Sequence, residues 1–390
     1  LSFKIFMQNF GWKGQKDERK VFTGLYKFNK EKNNFLLDIV GFDYKAGKFT
    51  TKNTDQIYIG LFDRNRKLIS GWTFKKLFDA WNKKHTSACY VEYEKRPCNY
   101  NTSEHDFEYK YTGKVFFTTG GSTAVESALR FIQFYNNTRG RNEKKLIMCR
   151  EDGYHGSTYL SASLNGKLRT SDWMDYSHQN MIRLSSPKLF GRKENFDISE
   201  FEDFLVNEFQ EAIDFHGASN IAAFIGEPVL ASGGVIVPPR NYFSRIKKKC
   251  VENEILFIAD EVVTGFGRLG HIFSSEKVFN TIPDIITFAK GVTSGYFPLG
   301  GVVISSELMK DLRSSNHPDA NFGHGFTYTS HPIGCSVALK NIEILEDGVL
   351  ENVLELSDYF QKNLKLLEQF KIVGEVRGKG LMACIECVVD

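Results

Sequence analysis

Six short apolar runs, beginning near residues 114, 146, 221, 255, 284 and 300, are separated largely by stretches of helical periodicity. Runs of this length, bounded by glycine, proline or acidic residues, read as buried strands. Strand alternating with helix is the pattern of an α/β domain with a mostly parallel sheet flanked by helices. Such a sheet binds ligands beyond the carboxyl ends of its strands, so the residues that end the runs carry the information. The run 221–225 leads to Glu227, the run 255–259 to Asp260-Glu261, and the run 284–289 to Lys290. Carboxylates and an amine at one edge describe a salt bridge as well as a site, and at this level both readings stand.

An aldehyde cofactor with a pyridine ring needs such a pair: lysine forms the Schiff base, and a buried carboxylate keeps the ring nitrogen protonated. Two glycine-rich turns add to it. The run KVFFTT from Lys114 is followed at once by Gly120-Gly121-Ser122 and the helical pattern Val125, Ala128, Leu129, Ile132, Tyr135. Strand, glycines, helix is either a plain turn or an anion site, in which backbone amides and the Ser122 hydroxyl donate to a phosphate. The run 146–149 leads to Gly153-Tyr154-His155-Gly156-Ser157. There Tyr154 either packs the loop or offers its ring face to a flat electron-poor ligand, and His155 is a donor beside it.

Composition removes some classes of function. The 50 basic and 47 acidic residues leave a formal charge of +3, too small and too mixed to argue for nucleic acid or an anionic membrane. No apolar run approaches the roughly 18 residues that cross a bilayer, and the start LSFKIFMQNFGWKG lacks the apolar core of a secretory signal. Seven cysteines, at 89, 98, 149, 250, 335, 384 and 387, form an odd set, several within apolar runs. That use fits reduced thiols, and with it a cytoplasmic location, a mitochondrial one being left open. Cys384-x-x-Cys387 has no second pair and lies in a strand-like setting, so no metal site is expected. Leu1 rather than Met at the start, and an end at Asp390 just after a strand-like run, lead to the expectation of a trimmed or incomplete chain.

The stretches DEVVTGFGR (260–268) and FAKGVTSGYFPLGG (288–301) resemble the class-III aminotransferases, pyridoxal-phosphate enzymes of fold type I. The resemblance covers roughly residues 114–386. The glycine turn is similar to the family's phosphate cup, with Gly120 for its first serine and Thr123 for its acidic residue. The tyrosine loop resembles the Tyr-His-Gly motif, Glu227-Pro228-Val229 the Glu-Pro-Val motif, and residues 323–332 the His-Gly-x-Thr-Tyr-Ser-Gly-His-Pro run, with Ser330 where glycine is usual. VRGKGLMACIE (376–386) is similar to the start of the family's small C-terminal domain; the arginine that in many members binds the oxo-acid carboxylate comes later.

The resemblance implies pyridoxal 5'-phosphate as cofactor, with Lys290 and Asp260 catalytic. It implies contacts to the cofactor from Gly121, Ser122, Tyr154, His155, Glu227, Asp260, Val262, Lys290 and Thr327. Thr327 would reach the phosphate of a neighbouring subunit, which implies a homodimer with shared active sites. YHGSTYLSASL (154–164) and SGYFPLGG (294–301) look most like the ω-amino acid and diamine:pyruvate members. The implied activity moves an amino group from an ω-amino acid, amine or diamine to a 2-oxo acid such as pyruvate, by a ping-pong route through pyridoxamine phosphate. An aminomutase or decarboxylase of the same fold, or a non-catalytic paralogue, are the alternatives. We expect a divergent segment over 1–113 in which no family motif maps, a large cofactor-binding domain over 114–326, and the start of a small domain over 327–390.

Overall fold

Contacts between Cα atoms divide the chain into two units, Leu1–Ala88 and Cys89–Asp390, and each is described by itself. In a computed structural model of the chain, the residues described are 20–29, 34–43, 48–50, 58–62, 68–73, 114–166, 173–314 and 320–388. In the first unit β1 (Lys20–Asn29), β2 (Asn34–Asp43) and β3 (Lys48–Thr50) form an antiparallel sheet, and β4 (Tyr58–Phe62) pairs antiparallel with β5 (Leu68–Thr73). The β1–β2 register runs unbroken from Lys20↔Asp43 to Asn29↔Asn34. The apolar pieces at 35–39 and 57–62, which carry no motif, thus fall largely on strands.

A strand covered on both faces sends alternate side chains into two different cores, and the central strands of the second unit do so residue by residue. The strands are β6 (Lys114–Thr118), β7 (Leu146–Arg150), β8 (Met181–Leu184), β9 (Ile221–Gly226), β10 (Leu256–Asp260), β11 (Ile285–Phe288) and β12 (Gly300–Ile304), in the order β6-β12-β11-β10-β9-β7-β8. Met148, Phe224, Phe257 and Ala259 join one cluster, with residues of the helices Ile198–His216 and Tyr242–Glu252. Ile147, Cys149, Ala223, Ile225 and Ile258 join the other, with residues of the helices Gly121–Thr138 and Ser306–Arg313. The result is a three-layer α/β/α domain. In chain order the helices are α1 (Gly121–Thr138), α2 (Tyr159–Ser163), α3 (Ile198–His216), α4 (Tyr242–Glu252), α5 (Ser274–Lys277), α6 (Ser306–Arg313), α7 (Pro332–Ile344) and α8 (Leu350–Lys365).

Six strands follow the apolar runs, and β8 is an edge strand too short to stand out in the sequence. The sheet is parallel apart from β12, which runs antiparallel to both β11 and β6. Helix α4 starts at Tyr242, after a turn closed by Tyr242 N–H on the Pro239 carbonyl. α7 and α8 are separated at Gly348, whose φ of +83° belongs to the left-handed region that favours glycine. A hairpin of β13 (Val373–Lys379) and β14 (Met382–Cys387) follows, and Cys384 and Cys387 lie on its second strand. Among the described residues no helix is long and apolar enough to cross a membrane.

The amino-terminal ends of three neighbouring parallel strands are fastened by one side chain. Lys144, 5 % exposed, donates from Nζ to the carbonyls of Ala218 (3.0 Å), Ile221 (3.1 Å) and Glu254 (2.9 Å), just ahead of or at the start of β9 and β10. It lies two residues before β7, and its three ammonium donors are all used. Lys144→Met keeps the stem but strands three carbonyls, and is expected to lower unfolding free energy by about 2 kcal/mol. A urea midpoint equal to that of the parent chain would show that the fastening contributes nothing.

Candidate active site

Burying a carboxylate is costly unless donors meet it. Asp260, the last residue of β10 and 3 % exposed, is met by three. His155 Nδ1 lies 2.7 Å from its Oδ2, while the Val262 amide (3.2 Å) and the Thr287 hydroxyl (3.1 Å) donate to its Oδ1. A carboxylate offers about four lone-pair sites. Among the described residues one acceptor site therefore remains, and it is on Oδ2. Strand parity puts Asp260 with Ile258 on the α1 side of the sheet. Its neighbour Glu261 is fully used: the amides and hydroxyls of Ser274 and Ser275 and the Thr264 hydroxyl all donate to it. One acid of the pair faces the sheet edge, and the other ties down the start of α5.

The tyrosine loop is held against Asp260 from two sides. Glu227, buried just past β9, accepts from the amides of Tyr154 (2.9 Å) and Ala231 (3.2 Å). Burial pushes its carboxyl upward, the nearby His155 draws it down, and Asp260 pushes it up again. On the other side Asn165 accepts from the His155 amide at 2.6 Å and donates to the Gly156 carbonyl at 3.0 Å. Its one amide group fixes the backbone on both sides of the peptide between them. His155 is thereby buried against Asp260, while the Tyr154 ring stays 40 % exposed, its hydroxyl 2.9 Å from Ser157 Oγ.

The glycine turn lies beside both signature stretches. A Cβ on Gly121 would meet Val262 Cγ1 at 2.9 Å and Ala289 Cβ at 3.7 Å, so the start of α1 sits against the residues that follow Asp260 and precede Lys290. Gly156, at φ +137°, lies so near that a Cβ there would meet the Ser122 Cα at 2.8 Å. Ser122 Oγ accepts from the Ser157 amide at 3.0 Å. Helix α1 has no side-chain cap at Gly120 and no acidic residue in its first turn. The first intrahelical bond is Ala124 N–H to the Gly120 carbonyl, so the amides before it face away from the helix. This is an amide-lined, acid-free cradle with room left by glycine, and it suits an anion.

Asp260 pairs in register with Thr287, which places Lys290 three residues beyond on the next strand's end. Lys290 opens a 3-10 turn to Thr293 with φ +36°, an uncommon conformation for a residue with a side chain. It is exposed, and among the described residues its amine has no hydrogen-bond or ion-pair partner. Gly291 is pressed under the other stretch, since a Cβ there would meet Phe266 Cβ at 2.9 Å and the Gly265 carbonyl at 3.0 Å.

The structure thus brings Gly121, Ser122, Tyr154, His155, Glu227, Asp260 and Val262 together by direct contacts and puts Lys290 on the adjoining strand end. Thr327 stands apart: it is exposed on the turn that precedes α7. Residues that sequence reasoning passed over are Thr287, Asn165 and Asn341, whose amide bonds the turn after Lys290. Thr287 carried a signal, a lone polar residue inside the apolar run ahead of Lys290. Asn165 and Asn341 carried none, because each acts on backbone that is remote or irregular.

Gly121→Ala puts a methyl onto Val262 and is expected to lower stability by about 1–3 kcal/mol, as overpacking does. Adding Val262→Ala to that variant opens the space again and recovers part of the loss. Strictly additive losses in the double variant, read from denaturation midpoints, would show that the two residues do not meet.

The chain is 40% identical over 276 residues to the putrescine–pyruvate aminotransferase of Pseudomonas aeruginosa, covering 70% of this chain and 59% of that one. Among solved structures it is similar to an (S)-enantioselective omega-transaminase from Thermomicrobium roseum, with TM-score 0.67 and 41% identity over 71% of this chain and 61% of the other. It is also similar to a PLP-bound aminotransferase mutant from Vibrio fluvialis, with TM-score 0.68 and 36% identity over 71% and 62%. The chain spans between about half and three fifths of the length of the curated relatives it matches. The family description "Aminotransferase class-III" matches residues 39–390, which takes in most of the segment where no motif is legible. This match, over a site whose parts are in contact, establishes that the chain belongs to the class-III aminotransferase family.

Proposed function

We propose that this chain carries the pyridoxal 5'-phosphate site of an aminotransferase that moves an amino group from an ω-amino acid, amine or diamine to a 2-oxo acid such as pyruvate. The observation that carries the reading is the pairing of Asp260 with Lys290 on the adjoining strand end: among the described residues the first has one acceptor site left on Oδ2 and the second has no partner. The residues fit the cofactor. Gly121 and the first amides of α1 would take its phosphate with Ser122 beside them, the exposed Tyr154 ring would lie against its ring, and Val262 and His155 would border it. Bound there, pyridoxal phosphate supplies an aldehyde that condenses with amines and a ring that draws off negative charge.

The chain's own groups then have distinct tasks. Lys290 Nζ, without a partner among the described residues, would be the amine that holds the cofactor. The same amine would take the proton from the substrate carbon, a base made effective by position. Asp260 Oδ2 would hold a proton at the cofactor's ring nitrogen, a charge-assisted interaction. His155, Val262 and Thr287 keep that carboxylate aimed, and Glu227 and Asn165 keep His155 and Tyr154 in place. The working unit on this reading is a pair of chains, with the exposed Thr327 of each serving the phosphate site of the other. Residues 327–390 would begin the smaller domain.

Borohydride reduction of the cofactor-loaded protein is expected to fix the label on Lys290. A label on any other lysine overturns the assignment. Lys290→Ala keeps cofactor non-covalently and loses turnover by orders of magnitude. Asp260→Asn binds cofactor but loses most amino transfer to pyruvate, because a neutral amide cannot favour the protonated ring nitrogen, where each pKa unit is about 1.4 kcal/mol. Near-parental activity in that variant would end its assigned role.

Shared sites make a separate demand. Lys290→Ala mixed with Thr327→Glu forms a hybrid in which the intact Lys290 receives an intact Thr327 from its partner. Up to about half the parental activity per hybrid dimer is then expected. Absence of rescue, with subunit exchange demonstrated by mass, would mean that Thr327 serves its own chain.

A further inference from the structure

The Lys290 turn combines ordinary 3-10 bonding with an uncommon backbone conformation. Within it, Val292 N–H reaches the Ala289 carbonyl at 3.0 Å and Ser294 N–H reaches the Gly291 carbonyl at 3.1 Å. Both Lys290 (φ +36°) and Ser294 (φ +48°) stand in the left-handed region without being glycine. Such residues persist only where their surroundings over-determine them. Part of these surroundings is one side chain on α7. Asn341 Nδ2 donates to the carbonyls of Gly291 (2.8 Å) and Val292 (3.1 Å), and Asn341 Oδ1 accepts from Ser294 Oγ at 2.6 Å. All three bonds of this amide fall on the turn, two on carbonyls between its left-handed residues and one on the hydroxyl of the second.

The helix that carries Asn341 is itself docked along the same segment. Gly334, Ala338 and Asn341 share one face by their spacing. A Cβ on Gly334 would meet Phe297 Cδ1 at 2.8 Å, the His331 ring lies 5.1 Å from that of Phe297, and the Thr293 hydroxyl donates to the Phe297 carbonyl at 2.6 Å. Ala338 and Leu345 pack in one cluster with Val292 and Leu299. Helix α7 therefore lies along residues 291–299 as a strut, and Asn341 is its polar contact nearest the amine.

We propose that Asn341 is the positioning residue of Lys290: by holding the Gly291 and Val292 carbonyls and the Ser294 hydroxyl it sets where the lysine leaves the backbone. It touches neither substrate nor cofactor and acts through the turn. This rests on the reading that Lys290 is the cofactor-linked amine. A carboxylate of the same shape turns two donated bonds into repulsion with two carbonyls, so Asn341→Asp disturbs the turn with little change in volume. Asn341→Gln carries the same amide on a longer stem.

Three measurements on the full chain test it. In cofactor-free protein, hydrogen exchange of the peptide spanning 290–296 is expected to rise about tenfold in Asn341→Asp, with the α3 and α4 peptides unchanged, as for a local opening. In loaded protein, the midpoint of the pH-dependent visible absorbance shifts by about one unit, because the amine sits in altered surroundings. The kcat falls about ten- to a hundredfold while KM for the amine stays within about threefold, the pattern of a misplaced group. Asn341→Gln recovers part of the kcat and of the midpoint. An Asn341→Asp protein with the parental midpoint and kcat within about twofold of the parent overturns the proposal. If Asn341→Asp fails to fold, Ser294→Ala removes a single bond of the three. A parental midpoint and kcat there overturn the proposal, and a shift in the same direction supports it. The underlying reading fails separately, through borohydride labelling of a lysine other than Lys290 in the parent. Labelling at Lys290 with no effect at Asn341 sinks only the positioning role.

Discussion

Asp260 is buried at the end of β10, and the surrounding structure is arranged around the cost of putting it there. Each of its donors comes from a different part of the chain: His155 from the loop after β7, Thr287 from β11, and Val262 from its own following turn. None is free to move, since His155 is fixed through Asn165 and the neighbouring Tyr154 amide through Glu227. A buried polar network is stable only when its members are satisfied together. That condition couples β7, β9, β10 and β11 at one edge, and it leaves the single open position on Oδ2 as a property of the whole arrangement.

The second constraint is closeness. The α1 turn, the stretch after Asp260 and the stretch around Lys290 approach within distances that only glycine allows, at Gly121 against Val262 and at Gly291 against Phe266. Hydrogen bonds aim the polar groups, while these contacts decide how far apart the three turns lie. The two effects are independent, so a chain with all the polar residues and larger residues at 121 and 291 would hold the right groups at the wrong separation.

Much of this was legible in the sequence. Short apolar runs ending in acids or lysine placed Glu227, Asp260 and Lys290 at one sheet edge, and glycine clusters marked the turns that join them there. The register that sets Asp260 opposite Thr287 was not legible, because pairing depends on partners distant in sequence. β8 was missed since four residues at a sheet edge carry too little pattern. The first unit's strands were missed because their apolar residues are diluted by lysine, asparagine and glycine. Asn165 and Asn341 were invisible for another reason: an amide that binds backbone leaves no periodicity, and its target has no side-chain signature. Resemblance supplied roles for the motif residues, but it gave none to these supporting amides.

The reversed strand β12 has a consequence for how the chain is made. β6 is the earliest strand of the sheet in the chain and β12 the latest, yet among the described residues β12 is the only neighbour of β6, from Lys114↔Ile304 to Thr118↔Gly300. Pairing across such a span is slow, because the long loop must close before any contact rewards it. During synthesis β7, β9, β10 and β11 can assemble in sequence as they emerge. β6 itself stays without its sheet neighbour until Gly300–Ile304 has left the ribosome. The strand that leads into the glycine turn is thus the last of the sheet to be paired, and until then an apolar strand edge stands open to any chaperone or neighbouring chain that reaches it first.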